Sequence, residues 1–364
     1  MLKISIVAGA RPNFIKIAPI IEAIKQKKAL GEKISYRLVH TGQHYDEKMS
    51  GQFFIDLQIT KPDVNLNCGG GSQAEQTAEI MKAFEKELIQ NPADLVIVVG
   101  DVNSTMACSI TAKKLHTKVA HVEAGIRSFD MKMPEEINRI VTDSLSDYFF
   151  TTSRSANKNL RQMGKTDDQI FFVGNVMIDS LFKFIPAFKK PEVFDQHNLS
   201  PQKYFILTLH RPSNVDEITE LHQLIQFLCE QVENIPIIFP VHPRTQKNLN
   251  LKNIPEKLIL TPPLGYLEFN YLVKNALGVL TDSGGITEET SMMNIPCLTL
   301  RDSTERPETI THGTNELVGK DRDKIALNLK KILNKNWKQG VAPELWDGKS
   351  AERIVEILLK LYKN

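Results

Sequence analysis

Eight apolar segments of this chain end in a residue able to move a proton or bind an anion. IVAGA is followed by Arg11, LVHTG carries His40, VIVVG is followed by Asp101 and VAHV by Glu123. Further along, ILTL is followed by His210 and Arg211, and FPV by His242 and Arg244. GVLT is followed by Asp282, and CLTL by Arg301 and Asp302. Carboxylates and imidazoles in such places can work as general acids and bases. Guanidinium groups there can hold phosphate. One polar residue after a strand is ordinary. Its recurrence in both halves points to a polar cleft where two sheet edges face each other, since open parallel sheets bind ligands beyond the carboxyl ends of their strands.

The sharpest local pattern is LTDSGGITEET, residues 280–290. A strand ending at Thr281, a turn at Ser283, Gly284 and Gly285, and a helix starting near Ile286 would place free N–H groups and a helix dipole against an anion. The reading is a diphosphate site; a Ser/Gly turn with an N-cap is the plain alternative. Glu288 or Glu289 could accept hydrogen bonds from ribose hydroxyls, or simply suit the first turn of a helix. In GARPNFIK, Arg11 and Lys16 lie over a strand end at a helix start, which suits phosphate ligands, while Pro12 reads as a helix-start residue. Asp101 opens a helix and fits an N-cap as well as a catalytic group. Glu123 lies directly after a strand and before Ala-Gly, which is not a usual capping choice. Glu135 and Glu136 follow Pro134, as at an ordinary helix start. His210 and His242 both follow apolar strands beside Arg and Pro. No HExxH, clustered Cys/His, GxSxG or GxGxxG pattern is present, so neither a metal nor a nicotinamide cofactor is expected.

These residues need a scaffold that gathers strand ends. Apolar runs at Ile4–Ala8, Tyr36–His40, Leu95–Val99, Val119–Val122, Tyr148–Thr151 and Ile170–Val173 form one series. Tyr204–Leu209, Ile237–Val241, Lys257–Leu260, Leu277–Leu280 and Pro296–Leu300 form a second. Amphipathic stretches such as Pro12–Lys28, Ala74–Gln90, Ser104–Leu115 and Glu217–Val232 lie between them. Continuous apolar strands alternating with helices mean parallel sheets covered on both faces. The expected fold is α/β, with two doubly wound domains at 1–180 and 181–350. The stretch Ser180–Lys203, polar and helix-poor with Pro186, Pro191 and Pro201, reads as their connection. A final helix over Ala351–Leu361 is expected to pack back on the first domain.

Length and composition agree with this. The 364 residues are enough for two domains without disulfide or metal staples, and 41% hydrophobic with 24% charged residues is ordinary globular composition. A formal net charge of +2 is too small to imply a nucleic acid or a membrane surface as partner. Cys68, Cys108, Cys229 and Cys297 are scattered and read as reduced thiols. No signal peptide or run of ~20 apolar residues is visible, so the expected location is the cytoplasm.

Taken together, GARPNFIK, HTGQHYD, GDVNST, HVEAGIRS, PEEINR, GNVMIDS, HR, PVHPR, LTDSGGITEE and RDSTERPE resemble the non-hydrolysing UDP-N-acetylglucosamine 2-epimerases in order and spacing over nearly the whole chain. The resemblance implies two Rossmann-like domains with the site in a central cleft, as in GT-B glycosyltransferases, and a homodimer. It implies a UDP-sugar substrate and the interconversion of UDP-GlcNAc and UDP-ManNAc. The chemistry would be elimination of UDP to a 2-acetamidoglucal, then re-addition. It places catalytic roles on Asp101, Glu123, Glu135 and His210. It places substrate-binding roles on Arg11, Lys16, Ser283, Gly284, Gly285, Glu289 and Arg306. Gln43, His44, Arg211 and His242 match an activator site of bacterial relatives, where Asp46 and Gly70 here replace a Gln and an Arg. Ala10 and Asn13 in the first loop, Met133 before PEE, and PSNVD after His-Arg depart from the usual pattern. They are shared with epimerases of related sugars such as UDP-2,3-diacetamido-glucuronate and leave the C3 and C6 substituents open. A GT-B glycosyltransferase, a hydrolysing epimerase and a non-catalytic sugar-nucleotide binder are the competing classes.

Overall fold

The computed structural model describes residues 1–43, 57–59, 61–249 and 254–363. It divides into two compact units, Met1–Lys183 with Glu344–Asn364, and Phe184–Pro343.

The first unit is built on β1 (Leu2–Ala8), β2 (Ile34–His40), β3 (Val64–Asn65), β4 (Leu95–Val99), β5 (Lys118–Val122), β6 (Tyr148–Thr151) and β7 (Ile170–Phe172). All pair in parallel, in the order β3-β2-β1-β4-β5-β6-β7. Its helices are α1 (Arg11–Ala29), α2 (Gln73–Gln90), α3 (Asn103–Lys114), α4 (Pro134–Leu145), α5 (Arg154–Gln162) and α6 (Val176–Phe184). The strand order reverses between β1 and β4, so the loops after those two strands diverge to opposite faces and leave a crevice between them.

The second unit has β8 (Phe205–Thr208), β9 (Ile237–Pro240), β10 (Leu258–Thr261), β11 (Gly278–Thr281), β12 (Cys297–Thr299) and β13 (Asn315–Leu317). They form a parallel sheet in the order β10-β9-β8-β11-β12-β13, with the reversal between β8 and β11. Its helices are α7 (Glu192–Gln196), α8 (Pro212–Val215), α9 (Ile218–Gln231), α10 (Pro243–Gln246), α11 (Tyr266–Asn275), α12 (Gly284–Met293), α13 (Pro307–Thr311) and α14 (Arg322–Leu333). Both sheet faces are buried. Phe205, Leu207 and Phe239 join one core cluster, while Tyr204, Ile206 and Ile238 join another. Successive strand residues point to opposite faces, which is why these strands read as unbroken apolar runs.

The structure adds to the sequence reading at the sheet edges. β3 and β13 were not among the expected strands. They are two and three residues long and carry Asn65, Asn315 and Glu316. An edge strand has one neighbour and tolerates polar side chains, so its apolar signal is weak. The stretch Ser180–Lys203 is not helix-poor. It holds the end of α6, a 3-10 turn at Ile185–Ala187 and α7, with Val193, Phe194 and Leu199 buried. Short helices anchored by two or three apolar residues have too little periodicity to stand out.

The chain rejoins the first unit before its last helix, α15 (Ser350–Leu361). The buried Trp346 donates from Nε1 to the Thr152 carbonyl at 3.0 Å. Asp179 accepts the Ser350 and Ala351 N–H groups at 3.2 and 2.7 Å, holding the start of α15. α15 then packs on α1.

Candidate active site

In the first unit the crevice between β1 and β4 is organised by one amide. Asn13, in the first turn of α1, accepts the Gly9 and Ala10 N–H groups with Oδ1 and donates from Nδ2 to the Val99 carbonyl at 2.9 Å. The loops after β1 and β4 are thereby fixed to each other. α1 starts at Arg11 with Pro12 second, so Arg11 is half-buried at the first helical position. One turn on, Lys16 Nζ meets Glu123 Oε2 at 2.5 Å, with the Glu123 side chain almost fully buried. Glu123 follows β5 with φ +69°, a left-handed backbone unusual for a non-glycine residue. Strain of this kind costs about 1–3 kcal/mol and collects where geometry serves a task. Gly100, at φ +71°, faces this pair, since a Cβ there would lie 3.4 Å from Lys16 Nζ and 3.6 Å from Glu123 Oε2.

Asp101 is next in the chain. It is not the N-cap of α3, a position held by Val102. Its Oδ2 instead accepts from Arg139 Nε and Nη2 at 3.0 and 2.5 Å. Arg139 also donates from Nη1 to Glu136 Oε2 at 2.7 Å. The two consecutive glutamates therefore part ways. Glu136 is buried and accepts the Ser128 N–H and hydroxyl and the Phe129 N–H. That leaves it a structural clasp for the 128–129 loop. Glu135, in the first turn of α4, is half-buried.

In the second unit the reversal between β8 and β11 gathers His210, Asp282 and the start of α12. Thr208 and Thr281, paired across the strands, share a 2.6 Å hydroxyl hydrogen bond. Asp282 is fully buried and accepts the His210 and Arg211 N–H groups at 3.0 and 2.9 Å and Asn214 Nδ2 at 3.1 Å. His210 Nδ1 lies 2.8 Å from Asp282 Oδ1. Burial pushes the Asp282 carboxyl up, but the His210 ring and these donors outweigh it and hold it below the usual carboxylate range. A carboxylate on Nδ1 fixes the imidazole's orientation and leaves Nε2 as its reactive edge.

Ser283 caps α12 without a side-chain capping bond, and the helix begins at Gly284, two residues earlier than expected. Gly284 and Gly285 are thus helical rather than a turn, and the first N–H groups of the helix come from residues without side chains. Close packing also calls for glycine at 284, where a Cβ would sit 2.7 Å from Glu305 Oε1. Glu305 is held by Arg301 at 2.8 Å. Arg306 is buried against Glu288 as an ion pair. Glu289, equally buried, accepts from Tyr266 Oη at 2.8 Å and Asn270 Nδ2 at 3.4 Å. Burial pushes its carboxyl up to about 7, with the Glu288 carboxylate adding to the rise.

Of the expected activator residues, His44 and the nearby Asp46 lie outside the described residues. Gln43 belongs to the first unit, where its Oε1 accepts from the Ser104 N–H and hydroxyl at 3.1 and 2.7 Å. Arg211 and His242 belong to the second, and the His242 ring is 5.9 Å from that of His210. His40 is a core histidine, accepting the Gly42 N–H and packed edge-on against Phe14. The sequence reading passed over Arg139, Tyr266 and Asn270 as site residues. Arg139 sits three positions after Glu136 on α4, the one spacing that signalled a pair.

Comparison with known proteins shows the family of the chain. The sequence model of the UDP-N-acetylglucosamine 2-epimerase family matches residues 27–359. A UDP-N-acetylglucosamine 2-epimerase of Methanocaldococcus jannaschii is 42% identical over 370 residues, spanning 98% of this chain and 99% of the relative. A UDP-2,3-diacetamido-2,3-dideoxy-D-glucuronate 2-epimerase of Pseudomonas aeruginosa is 40% identical over 364 residues, spanning 99% of this chain and 100% of the relative. The crystal structure of the M. jannaschii UDP-GlcNAc 2-epimerase in complex with UDP-GlcNAc and UDP superposes with a TM-score of 0.88 at 42% identity, over 99% of this chain and 100% of that one. With catalytic residue types at the strand ends of two doubly wound sheets and full-length similarity to epimerases, this chain belongs to the UDP-N-acetylglucosamine 2-epimerase family and is an epimerase.

Proposed function

We propose that the protein interconverts UDP-N-acetylglucosamine and UDP-N-acetylmannosamine. The observation that carries this is Glu123, held in a left-handed backbone beside Lys16 and Gly100 at the strand-order reversal. The N–H groups at the start of α12 and Arg11 bind the diphosphate, and Glu289 accepts from the ribose hydroxyls. A carboxylate removes the C2 proton while the C1–O bond breaks. UDP leaves with the bonding electrons and a 2-acetamidoglucal remains. The C2 hydrogen is barely acidic, so its removal depends on stabilising the departing diphosphate with cations and helix N–H groups. Protonation of C2 on the opposite face and re-addition of UDP at C1 complete the inversion. Two faces require more than one acid/base group, and Asp101, Glu123, Glu135 and His210 supply them.

The P. aeruginosa relative, at nearly the same identity, favours a second substrate, UDP-2,3-diacetamido-2,3-dideoxy-D-glucuronate. Both sugars share the C2 centre and the leaving group and differ at C3 and C6. Incubation with each in D2O, followed by NMR, separates them. Deuterium at C2 of UDP-GlcNAc with UDP-ManNAc appearing is the expected result. Exchange only in the diacetamido sugar would select the second substrate, and UDP release without C2 exchange would sink both. Asp101→Asn and Glu123→Gln are expected to slow exchange by about 10²–10⁴-fold with little change in UDP affinity. Wild-type rates in both would remove their roles.

A further inference from the structure

The turns that carry Asp101 and Glu123 hang from one buried carboxylate, Asp143 on α4. His121, two residues before Glu123 on β5, is fully buried. Its Nδ1 lies 2.7 Å from Asp143 Oδ1, and its Nε2 lies 2.9 Å from the carbonyl oxygen of Gly100, the residue before Asp101. The other Asp143 oxygen accepts the N–H of Gly125, two residues after Glu123, at 3.0 Å and Arg127 Nη2 at 2.7 Å. Burial pushes the Asp143 carboxyl up, yet the His121 ring and the Arg127 guanidinium outweigh it and keep it ionised. Both neighbours of the His121 ring are therefore acceptors only, an ionised carboxylate and an amide carbonyl. A neutral imidazole would turn a lone pair on one of them, whereas an imidazolium donates to both.

The backbone at each anchor needs such a hold. Gly100, Glu123 and Gly125 all have φ between +69° and +76°. A Cβ at 125 would lie 2.4 Å from the Ala156 carbonyl oxygen, so this turn is pressed against α5. The Glu123 and Ala124 N–H groups both donate to the Phe150 carbonyl, at 3.0 and 3.1 Å.

We propose that His121 is a positioning residue that donates from both ring nitrogens, joining Asp143 to the Gly100–Asp101 peptide so that Asp101 and Glu123 are held in register for proton transfer. Its ring touches no solvent and has no free nitrogen, so it does not exchange protons with substrate. This inference rests on the roles proposed above for Asp101 and Glu123.

The ring itself is read by NMR of wild-type protein labelled with ¹⁵N-histidine, the His121 signals being those lost in His121→Phe or, should that variant not fold, in His121→Gln. Directly bonded protons on both Nδ1 and Nε2 are expected. A ring with one bare nitrogen overturns the proposal whether or not the enzyme turns over. In the kinetic arm, His121→Phe removes both donors at similar volume. C2 exchange is expected to fall about 100-fold, the scale of a misplaced catalytic group, with UDP affinity unchanged. His121→Gln, which keeps one N–H donor, is expected to regain part of the rate. Wild-type exchange in a folded His121→Phe would overturn the positioning role. Absence of C2 exchange in the wild-type enzyme would instead overturn the reaction proposed above, leaving the ring signals to judge His121 separately.

Discussion

At the scale of single residues, Glu289 has the property that most directly shapes behaviour in solution. Its carboxyl is pushed up to about 7 by burial beside Glu288, against an ordinary value of 4.5. Between those values the folded protein holds a proton that the unfolded chain has released. This group's contribution to stability is therefore full below about pH 4.5 and lost as pH rises to about 7. Ribose hydroxyls donate to a carboxylate, so nucleotide binding draws on the ionised form and runs the other way. UDP affinity is expected to rise roughly tenfold from pH 6 to pH 8, tracking the ionised fraction. Titration calorimetry at several pH values checks this. A flat profile in the wild-type protein, or an unchanged slope in Glu289→Gln, would show that Glu289 does not face the nucleotide.

At the scale of elements, the start of α12 shows how one position can serve binding at the expense of helix propensity. Alanine for a helical glycine ordinarily stabilises by about 0.5–1 kcal/mol. At Gly284 the added Cβ would stand 2.7 Å from the Glu305 carboxylate, which Arg301 holds in place. The two effects oppose, so Gly284→Ala is expected to change folding stability by less than about 1 kcal/mol. UDP affinity is expected to fall about tenfold, since the methyl group and the displaced Glu305 intrude where the diphosphate is assigned. A variant that binds UDP normally would remove the helix start from the site. The SGG pattern and the strand before it were legible from residue types alone. The helix start at Gly284 rather than near Ile286 was not, because glycine carries no helix signal.

At the scale of the whole molecule, the chain leaves the first unit and returns to complete it. The return is anchored by Trp346, buried with its indole N–H on the Thr152 carbonyl, and by Asp179 on the start of α15. Truncating a buried tryptophan typically costs about 3–5 kcal/mol. Trp346→Ala is expected to lower the urea midpoint accordingly, with the loss confined to the unfolding of the first unit. Far-ultraviolet circular dichroism reads the midpoint, and an unchanged value would mean the tail only lies on the surface. No helix among the described residues is long and apolar enough to cross a membrane.

What the sequence determined by itself was the alternation of apolar strands and helices and the residues that end each strand. These are local properties, set by side-chain period and by the polar residue after each apolar run. Only the tertiary structure decided which of those residues work together. It paired Lys16 with Glu123, gave Asp101 to Arg139, separated Glu136 from Glu135, and set His210 on Asp282. Lys16 and Glu123, Asp101 and Arg139, and His210 and Asp282 each lie on different elements, and parallel strands are joined only through long crossovers. Their proximity is therefore fixed by strand order and register, which no local pattern encodes.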